Sequence, residues 1–310
     1  MSHSRYIIRN YRHSDFADYV KLIIASEKRH PSGCRLSPQS IGENLKRPNY
    51  SPEQDLFVAE IDGKIVGFID IIPEINSRRV ILDCLVHPEH RRRGLAKKLL
   101  GCATRRAKEL KAIVARVNIR QDNIVAKNIL TKLGFKIVRQ FLELRLSLTE
   151  VRLPDNAHHN YASCHLQYGE AEKLTRIQNR CFANVWGYNP NTTEEIACRI
   201  KMSHRSSEDV VLIYDTDKLV GYCWAEINRK VETDNGDRKG RIYMLGVDPD
   251  CRGKGIGRIA LLAGLTYLKS KGIRVVELTV DSENEAALAL YSSVGFKKWS
   301  SSLWYEKKVD

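Results

Sequence analysis

A glycine-rich turn in the second half of the chain has the residue types and spacing of an anion-binding site. It reads Arg252-Gly253-Lys254-Gly255-Ile256-Gly257 and follows Val247-Asp248-Pro249. Glycines permit backbone angles and close approach that a side chain would block. The apolar residues from Ile256 to Tyr267 then recur at helical spacing, so the turn opens a helix. Free amides and the positive end of the helix dipole meet there, which predicts a site for a pyrophosphate beside Arg252 and Lys254.

The same pattern occurs earlier in the chain, where the turn reads Arg91-Arg92-Arg93-Gly94-Leu95-Ala96. A constant offset over about fifty residues indicates duplicated domains rather than short stacked repeats. We therefore predict an N-terminal domain at 1–150, a linker at 151–161 and a C-terminal domain at 162–310. Seven residues of the first copy match seven of the second, each 161 positions later: Val86, Pro88, Arg91, Gly94, Asn123, Gly134 and Phe135 match Val247, Pro249, Arg252, Gly255, Asn284, Gly295 and Phe296.

The elements that position these turns are predicted to be the same in both copies. A first strand and a helical region lead to a strand hairpin, and a third strand enters the glycine turn. Seven extra residues in the second copy are accommodated within the polar stretch 228–239. The predicted strands are Tyr6 to Arg9, Leu56 to Glu60, Ile65 to Ile72 and Val80 to Val86 in the first copy, and Ser163 to Gln167, Val210 to Tyr214, Leu219 to Ile227 and Arg241 to Val247 in the second.

Composition narrows the class of protein. A chain of 310 residues exceeds the usual length of one domain. It has no apolar run near the roughly 18 residues of a membrane span, and its polar start does not resemble a secretory signal, so we expect no membrane partner and a cytoplasmic location. The eight cysteines show no C-x-x-C pair and no zinc-site spacing, so no metal is expected. The net charge of +14 favours an anionic partner without choosing one.

The pattern V-x-P-x-x-R-x-x-G-x-G resembles the acyl-CoA pyrophosphate loop of the GNAT superfamily of acetyltransferases, whose usual form is R/Q-x-x-G-x-G/A. The segment from Asn284 to Phe296 resembles that superfamily's N-x-x-A-x-x-x-Y-x-x-x-G-F motif. The resemblance implies an α/β (α+β) fold of two tandem domains. Each would have a mixed, mostly antiparallel central sheet flanked by helices, with a splayed strand that holds acyl-CoA.

The resemblance also implies an acyl-CoA site in each copy, with acetyl-CoA as the acyl donor. In the second copy, main-chain groups of Leu245 and Val247 would pair with the pantetheine arm, and Asn284 would orient the cofactor or its own helix. The implied cofactor residues are Leu245, Gly246, Val247, Arg252, Gly253, Lys254, Gly255, Ile256, Gly257 and Asn284 in the second copy, and Cys84, Leu85, Val86, Arg91, Arg92, Arg93, Gly94, Leu95 and Ala96 in the first.

Tyr291 matches the tyrosine of the second motif. A phenol with a reference pKa near 10 stays protonated at neutral pH and can donate a proton to the thiolate that leaves a thioester. The alternative role is that of a core aromatic. The corresponding residue of the first copy is Leu130, which cannot donate a proton. The first domain is therefore predicted to be degenerate, an arrangement that resembles the mycothiol synthase branch of tandem GNAT proteins.

The resemblance to that branch breaks at the general base. An acidic residue is expected early in the strand before the V-x-P turn, but the matching position is Arg241. Glu226, at the end of the preceding strand, is the nearest substitute, although a solvated surface glutamate is the more common outcome. Arg241 also suggests an acceptor whose charge differs from that of mycothiol's precursor. Trp186 and Tyr188, in a segment similar to the branch's acceptor-side loop, either line the acceptor pocket or pack as aromatics.

The predicted function is transfer of an acetyl group from acetyl-CoA to a primary amine of a small molecule or peptide. The alternative is a non-catalytic acyl-CoA sensor, or a scaffold whose basic residues between 91 and 108 bind nucleic acid. No zinc finger or aromatic RNA-binding motif supports nucleic-acid recognition, so that partner is not favoured. The oligomeric state is left open.

Overall fold

The computed structural model describes residues 6–29, 37–151, 161–232 and 238–309. They form two compact units: unit 1 comprises Met1–Gln140 and Ser302–Asp310, and unit 2 comprises Phe141–Ser301. Within the described ranges, no helix combines the length and the apolar character needed to cross a membrane.

Unit 1 is a mixed sheet flanked by helices, as predicted. The strand order is β1-β2-β3-β4-β5-β12, in which β4 and β5 are parallel and the other pairs are antiparallel. Its strands are β1 Ile7–Asn10, β2 Leu56–Ile61, β3 Lys64–Glu74, β4 Arg79–Val86, β5 Val114–Arg120 and the end of β12 Lys297–Lys308. Its helices are α1 Phe16–Arg29, α2 Pro38–Leu45, α3 Pro52–Asp55, α4 Leu95–Glu109 and α5 Ile124–Lys132.

The hairpin β2–β3 turns where the sequence predicts. Asp62 and Gly63 adopt φ angles of 50° and 74°, the left-handed pair that a two-residue hairpin turn requires. A residue with a short polar side chain and a glycine tolerate these angles best, so this pair suits the turn between the two predicted strands.

Unit 2 repeats the architecture. Its strand order is β6-β11-β10-β9-β8-β7, in which β10 and β11 are parallel. The seven extra residues lengthen the β9–β10 hairpin, whose tip, 233–237, lies outside the described residues. The strands are β6 Lys136–Ser147, β7 Ala162–His165, β8 Val210–Asp215, β9 Lys218–Glu232, β10 Arg238–Val247 and β11 Val275–Asp281. The helices are α6 Ala171–Phe182, α7 Thr193–Ile200, α8 Ile256–Ser270 and α9 Glu285–Val294.

The boundaries of the units differ from the predicted 1–150 and 162–310, because the two halves exchange their last strands. Residues 302–308 of β12 pair with β5 in unit 1, where Leu303 and Tyr305 are buried. Residues 141–147 of β6 pair with β11 in unit 2, where Leu144 and Leu146 are buried. The internal repeat could not reveal the exchange. The last strand of each copy occupies the same place in the repeat whether it completes its own sheet or the sheet of the other copy. Of the predicted linker 151–161, residues 152–160 lie outside the described residues.

The exchange predicts that a core substitution near the end of the chain destabilises the unit built mainly from its beginning. Leu303→Ala should cost unit 1 about 2–5 kcal/mol, as is typical for truncation of a buried leucine. Hydrogen exchange followed by mass spectrometry should show lost protection in β2 to β4, with β8 and β9 less affected. Leu144→Ala is the matched control and should give the reverse pattern. Loss of protection confined to unit 2 in Leu303→Ala would contradict the exchange.

Candidate active site

A gap opens in the sheet of unit 2 where β10 diverges from β11. The two strands pair in parallel only from Lys239 to Ile242 on β10. The register between β10 and β9 shifts between Ile242 and Met244, so Tyr243 is the extra residue of a β-bulge. A bulge bends its strand and increases its twist. The predicted splay of residues 243–247 is therefore confirmed, and the β11-facing main chain of this segment is available to an extended ligand.

The same gap is present in unit 1, where β4 and β5 pair only from Arg79 to Ile81 on β4. Residues 82–86 continue without a partner on that side. Both copies thus keep the opening on which the predicted pantetheine contacts of 84–86 and 245–247 depend.

The glycine turn follows β10 directly and requires glycine for its backbone angles. Gly253 and Gly255 have φ values of 77° and 79°, and nothing lies within 4 Å of the Cβ that either would carry. Gly255 is the N-cap of α8, and no side chain caps the first turn of that helix. Its first N–H groups are therefore available to an anion. Unit 1 has the same geometry, with φ of 75° at Gly94 and 61° at Arg92.

Gly246 is required because a side chain at this position would clash with its neighbours. A Cβ at this position would lie 2.6 Å from Cε1 of Tyr222 and 3.0 Å from Sγ of Cys181. The missing side chain lets α6 and the Tyr222 ring pack directly against β10, which fixes the strand that borders the gap.

The side chain of Arg252 contacts main-chain carbonyl groups. Its Nη2 donates to the carbonyl oxygen of Cys181 at 2.8 Å, and its Nε donates to that of Val247 at 3.4 Å. In unit 1, Nε of Arg91 donates to the carbonyl oxygen of Val86 at 3.1 Å. The matching arginine of each turn therefore braces the turn against the end of its strand. Because buried carbonyl oxygens need hydrogen-bond donors, the two guanidinium groups donate to these carbonyls.

Tyr291 lies on α9, buried in the core cluster on the α8 and α9 face of the sheet. Its ring meets that of Phe296 edge to face at 5.8 Å, and its hydroxyl forms no hydrogen bond with the described residues. Burial raises the pKa of Tyr291, so the phenol stays protonated at neutral pH. The equivalent residue of unit 1, Leu130, is buried in the core there.

Asn284 begins α9 as its N-cap. Its Oδ1 accepts the backbone N–H of Ala287 at 3.1 Å, and Asn123 does the same for Ala126 at 3.0 Å in α5. The asparagine of the motif thus orients the helix that bears Tyr291, which is one of its two predicted roles.

Glu226 lies on the opposite face of the sheet. On β9 it shares a face with Trp224, two residues earlier, which packs in the core cluster on the α6 and α7 face. Its side chain is only 18% exposed and pairs with Arg205 at 2.5 Å between Oε1 and Nη2. It is therefore not a solvated surface residue. The gap between β10 and β11 is the opening between the face that carries Tyr291 and the face that carries Glu226.

Trp186 and Tyr188 make packing contacts. The Tyr188 ring stacks on Phe182 with centroids 5.4 Å apart, and its hydroxyl donates to Oδ1 of Asn179 at 2.7 Å. Trp186 lies 6.0 Å from the ring of Phe141. These contacts order the loop between α6 and α7.

Unit 1 holds a carboxylate pair that sequence reasoning missed. Asp70 on β3 and Asp83 on β4 are directly opposite in the strand register. Asp70 accepts from the hydroxyl of Tyr50 at 2.7 Å and pairs with Arg47 at 3.2 Å. Asp83 is exposed, yet desolvation by the surrounding protein raises its pKa to about 6, and the charge of Asp70 acts in the same direction. The sequence does not show the register between β3 and β4, so it could not indicate that these two residues lie opposite each other.

The raised pKa of Asp83 makes the stability of unit 1 depend on pH. An unfolded aspartate has a pKa near 3.9, so between about pH 4 and 6 the folded state binds more protons than the unfolded state. Stability is then lost as the pH rises through this window. Asp83→Asn should abolish the loss, so its melting temperature should rise relative to wild type from pH 4 to pH 6. Asp18→Asn, on the exposed side of α1, is the control, and parallel melting curves for wild type and Asp83→Asn would contradict the assignment.

The described residues bring one group of metal-capable side chains together. The ligand atoms of His87, Glu89 and His90 lie within 4.8 Å of one another, just before the turn of unit 1. His90 Nδ1 and the Tyr6 hydroxyl are 3.0 Å apart, so one of these atoms already has a hydrogen-bond partner.

The comparisons with known proteins agree with this geometry. The family model described as the acetyltransferase (GNAT) family matches residues 26–135 and 171–296. Two proteins named mycothiol acetyltransferase, from Amycolatopsis mediterranei strain U-32 and Nocardia farcinica strain IFM 10152, are each 28% identical. The match to the first covers 80% of this chain and 82% of that relative, and the match to the second covers 90% of both sequences.

Among solved structures, a tandem GNAT protein from the clavulanic acid biosynthesis pathway has the same fold. Its TM-score is 0.75 at 16% identity, and the match covers 99% of both chains. The two segments matched by the family model span more than half of the sequence, and the chain therefore belongs to the GNAT family and is an acetyltransferase.

Proposed function

We propose that unit 2 transfers an acetyl group from acetyl-CoA to a primary amine, with Tyr291 as the general acid. One observation carries this assignment. In unit 2 the open gap between β10 and β11 extends from Ile242 to the glycine turn with its available N–H groups, and Tyr291 is a buried, protonated phenol in the core cluster that also includes Leu245 and Val247. An extended thioester with a pyrophosphate at one end fits that arrangement.

The chemistry follows from the residues. N–H groups of the turn 253–257 would hold the pyrophosphate, and the main chain of Leu245 and Val247 would pair with the pantetheine arm. The amine nitrogen attacks the thioester carbonyl carbon, so a C–N bond forms and the C–S bond breaks. Tyr291 gives its proton to the departing thiolate. Glu226 or water accepts the proton that the amine loses, and no covalent enzyme intermediate is needed.

Unit 1 is proposed to bind acyl-CoA without catalysing transfer. It keeps the gap and the turn, but Leu130 stands in place of the acid. A nucleic-acid scaffold is less well supported, because several basic residues of its turn and helix already serve internal contacts. Arg106 pairs with Asp55 at 2.8 Å, and Arg93 donates to the Tyr6 hydroxyl at 2.8 Å.

The test is thiol release from acetyl-CoA in the presence of a panel of primary amines, with mass spectrometry of the product. The precursor of mycothiol belongs in the panel because of the relatives named mycothiol acetyltransferase. At least one amine should accelerate thiol release and yield one N-acetyl product for each thiol. Binding of acetyl-CoA without acceleration by any amine would instead support the sensor.

A further inference from the structure

A cluster of arginine and aromatic side chains borders the gap on the α6 and α7 face of unit 2. We refer to Arg199, Arg205, Arg241, Trp224 and Tyr243 as the arginine cluster. The guanidinium of Arg205 lies 5.1 Å from the ring centre of Tyr243 and 5.6 Å from that of Trp224. Arg199 lies 5.5 Å from the Tyr243 ring and donates to its hydroxyl. Contacts of this kind fix the guanidinium groups in place.

Arg241 joins the cluster through the strand register. It lies directly opposite Glu226 in the antiparallel pair of β9 and β10, so their side chains share a face. Its Nη2 donates to Oγ1 of Thr279 on β11 at 2.7 Å. Glu226 therefore pairs with the guanidinium of Arg205 and lies on the same face of the sheet as Arg241.

Two buried donors of the cluster have no acceptor. Neither Nη1 of Arg205 nor Nε of Arg241 has a hydrogen-bond partner within the described ranges, and both are shielded from solvent. A desolvated charged donor without an acceptor is costly. Positive charge is also in excess: in the described part of the chain, Arg199 and Arg241 form no ion pair, and the only acid paired with Arg205 is Glu226.

The position of the cluster distinguishes it from the pyrophosphate site. Arg241 precedes Val247 by six residues along an extended strand, which is roughly 20 Å at the usual rise. The gap starts just after Ile242, so the cluster lies at the far end of the gap from the glycine turn. That is the end at which an acyl group carried by the pantetheine arm would meet its acceptor.

We infer that the acceptor amine carries an oxyanion, a carboxylate or a phosphate, which binds Arg241 and Arg205. This inference rests on the proposed acetyl transfer by unit 2 and specifies its acceptor class. The oxyanion would bind the partly exposed guanidinium of Arg241 and offset the positive charge of the cluster, and it would hold the amine beside Glu226. The anionic group takes no part in bond making, which remains amine attack on the thioester.

The test compares matched pairs of amines that differ only in the anion. Alanine is paired with alaninamide, and glucosamine 6-phosphate with glucosamine. The wild type should prefer at least one anionic member by about 10- to 100-fold in kcat/KM, the range expected from one or two hydrogen bonds to a charged group. The pair that shows the preference identifies the anion as carboxylate or phosphate.

Arg241→Gln should remove that preference by raising KM for the anionic member, with little change for the neutral one, and Arg241→Lys should restore part of it. Arg176→Gln is the matched control, because Arg176 is 77% exposed on α6 and pairs only with Glu172. Equal use of both members of each pair would overturn the inference and leave acetyl transfer standing.

If no amine of the panel is acetylated, that result contradicts the proposed function. The inference is then decided by calorimetric titration of the wild type and Arg241→Gln with inorganic phosphate and with acetate. An anion site lost in Arg241→Gln but kept in Arg176→Gln supports it. Identical titrations of all three proteins overturn it.

Discussion

Tyr291→Phe should lower kcat by about 10²- to 10⁴-fold and leave acetyl-CoA affinity nearly unchanged. The loss corresponds to removal of general-acid assistance to the departing thiolate. Only a hydroxyl is removed, and that hydroxyl forms no hydrogen bond with the described residues, so the packing of the ring against Phe296 should persist. The measurements are steady-state turnover under conditions where chemistry limits the rate, acetyl-CoA binding by calorimetry, and thermal unfolding.

Leu130→Ala provides the comparison in unit 1. It truncates a buried side chain at the equivalent position and should loosen packing there, but it removes no proton donor. Turnover should therefore change much less than in Tyr291→Phe while the protein stays folded. A Tyr291→Phe enzyme that keeps full activity would show that Tyr291 is a packing residue.

Gly255→Glu should abolish acetyl-CoA binding to unit 2. A glutamate would have to adopt a φ near 79°, which is unfavourable for a residue with a side chain. It would also place a negative charge at the N-terminus of α8, where the pyrophosphate is proposed to bind. Calorimetric titration should show two sites in the wild type and one in Gly255→Glu, and the remaining site should not support turnover.

Gly94→Glu is the reciprocal variant, since Gly94 has a φ of 75° at the same position of unit 1. It should remove the other site and leave turnover largely intact. A wild type with a single site that only Gly255→Glu removes would show that unit 1 has a structural role instead of binding acyl-CoA.

The features that could be predicted from the sequence depend on local chemistry or on the repeat. The two strands of the β2–β3 hairpin, the glycine turns and the presence of Leu130 at the position of Tyr291 all follow from short patterns or from the repeat. The splay of residues 243–247 came from the family resemblance, and the bulge at Tyr243 gives its physical cause.

The features that could not be predicted depend on contacts between distant residues. Arg205 comes from the loop after α7 and meets Glu226 only because of the fold, so no motif marks it. The opposition of Asp70 and Asp83 depends on strand register. The guanidinium of Arg252 donates to the carbonyl oxygen of Cys181, 71 residues earlier in the chain, and no local pattern indicates that contact.

The exchange of last strands sets the order in which the protein can finish folding during synthesis. Residues 302–308, which complete the sheet of unit 1, are translated only after all of unit 2. At the usual rate of 5–20 residues per second, the ribosome needs roughly 10 to 30 s to make that intervening stretch. Throughout this interval β5 is an open edge with unpaired backbone groups, and the core positions of Leu303 and Tyr305 are empty. Open edges of this kind are templates for pairing with other chains, so the exchange leaves the nascent first half exposed to aggregation until the last strand emerges.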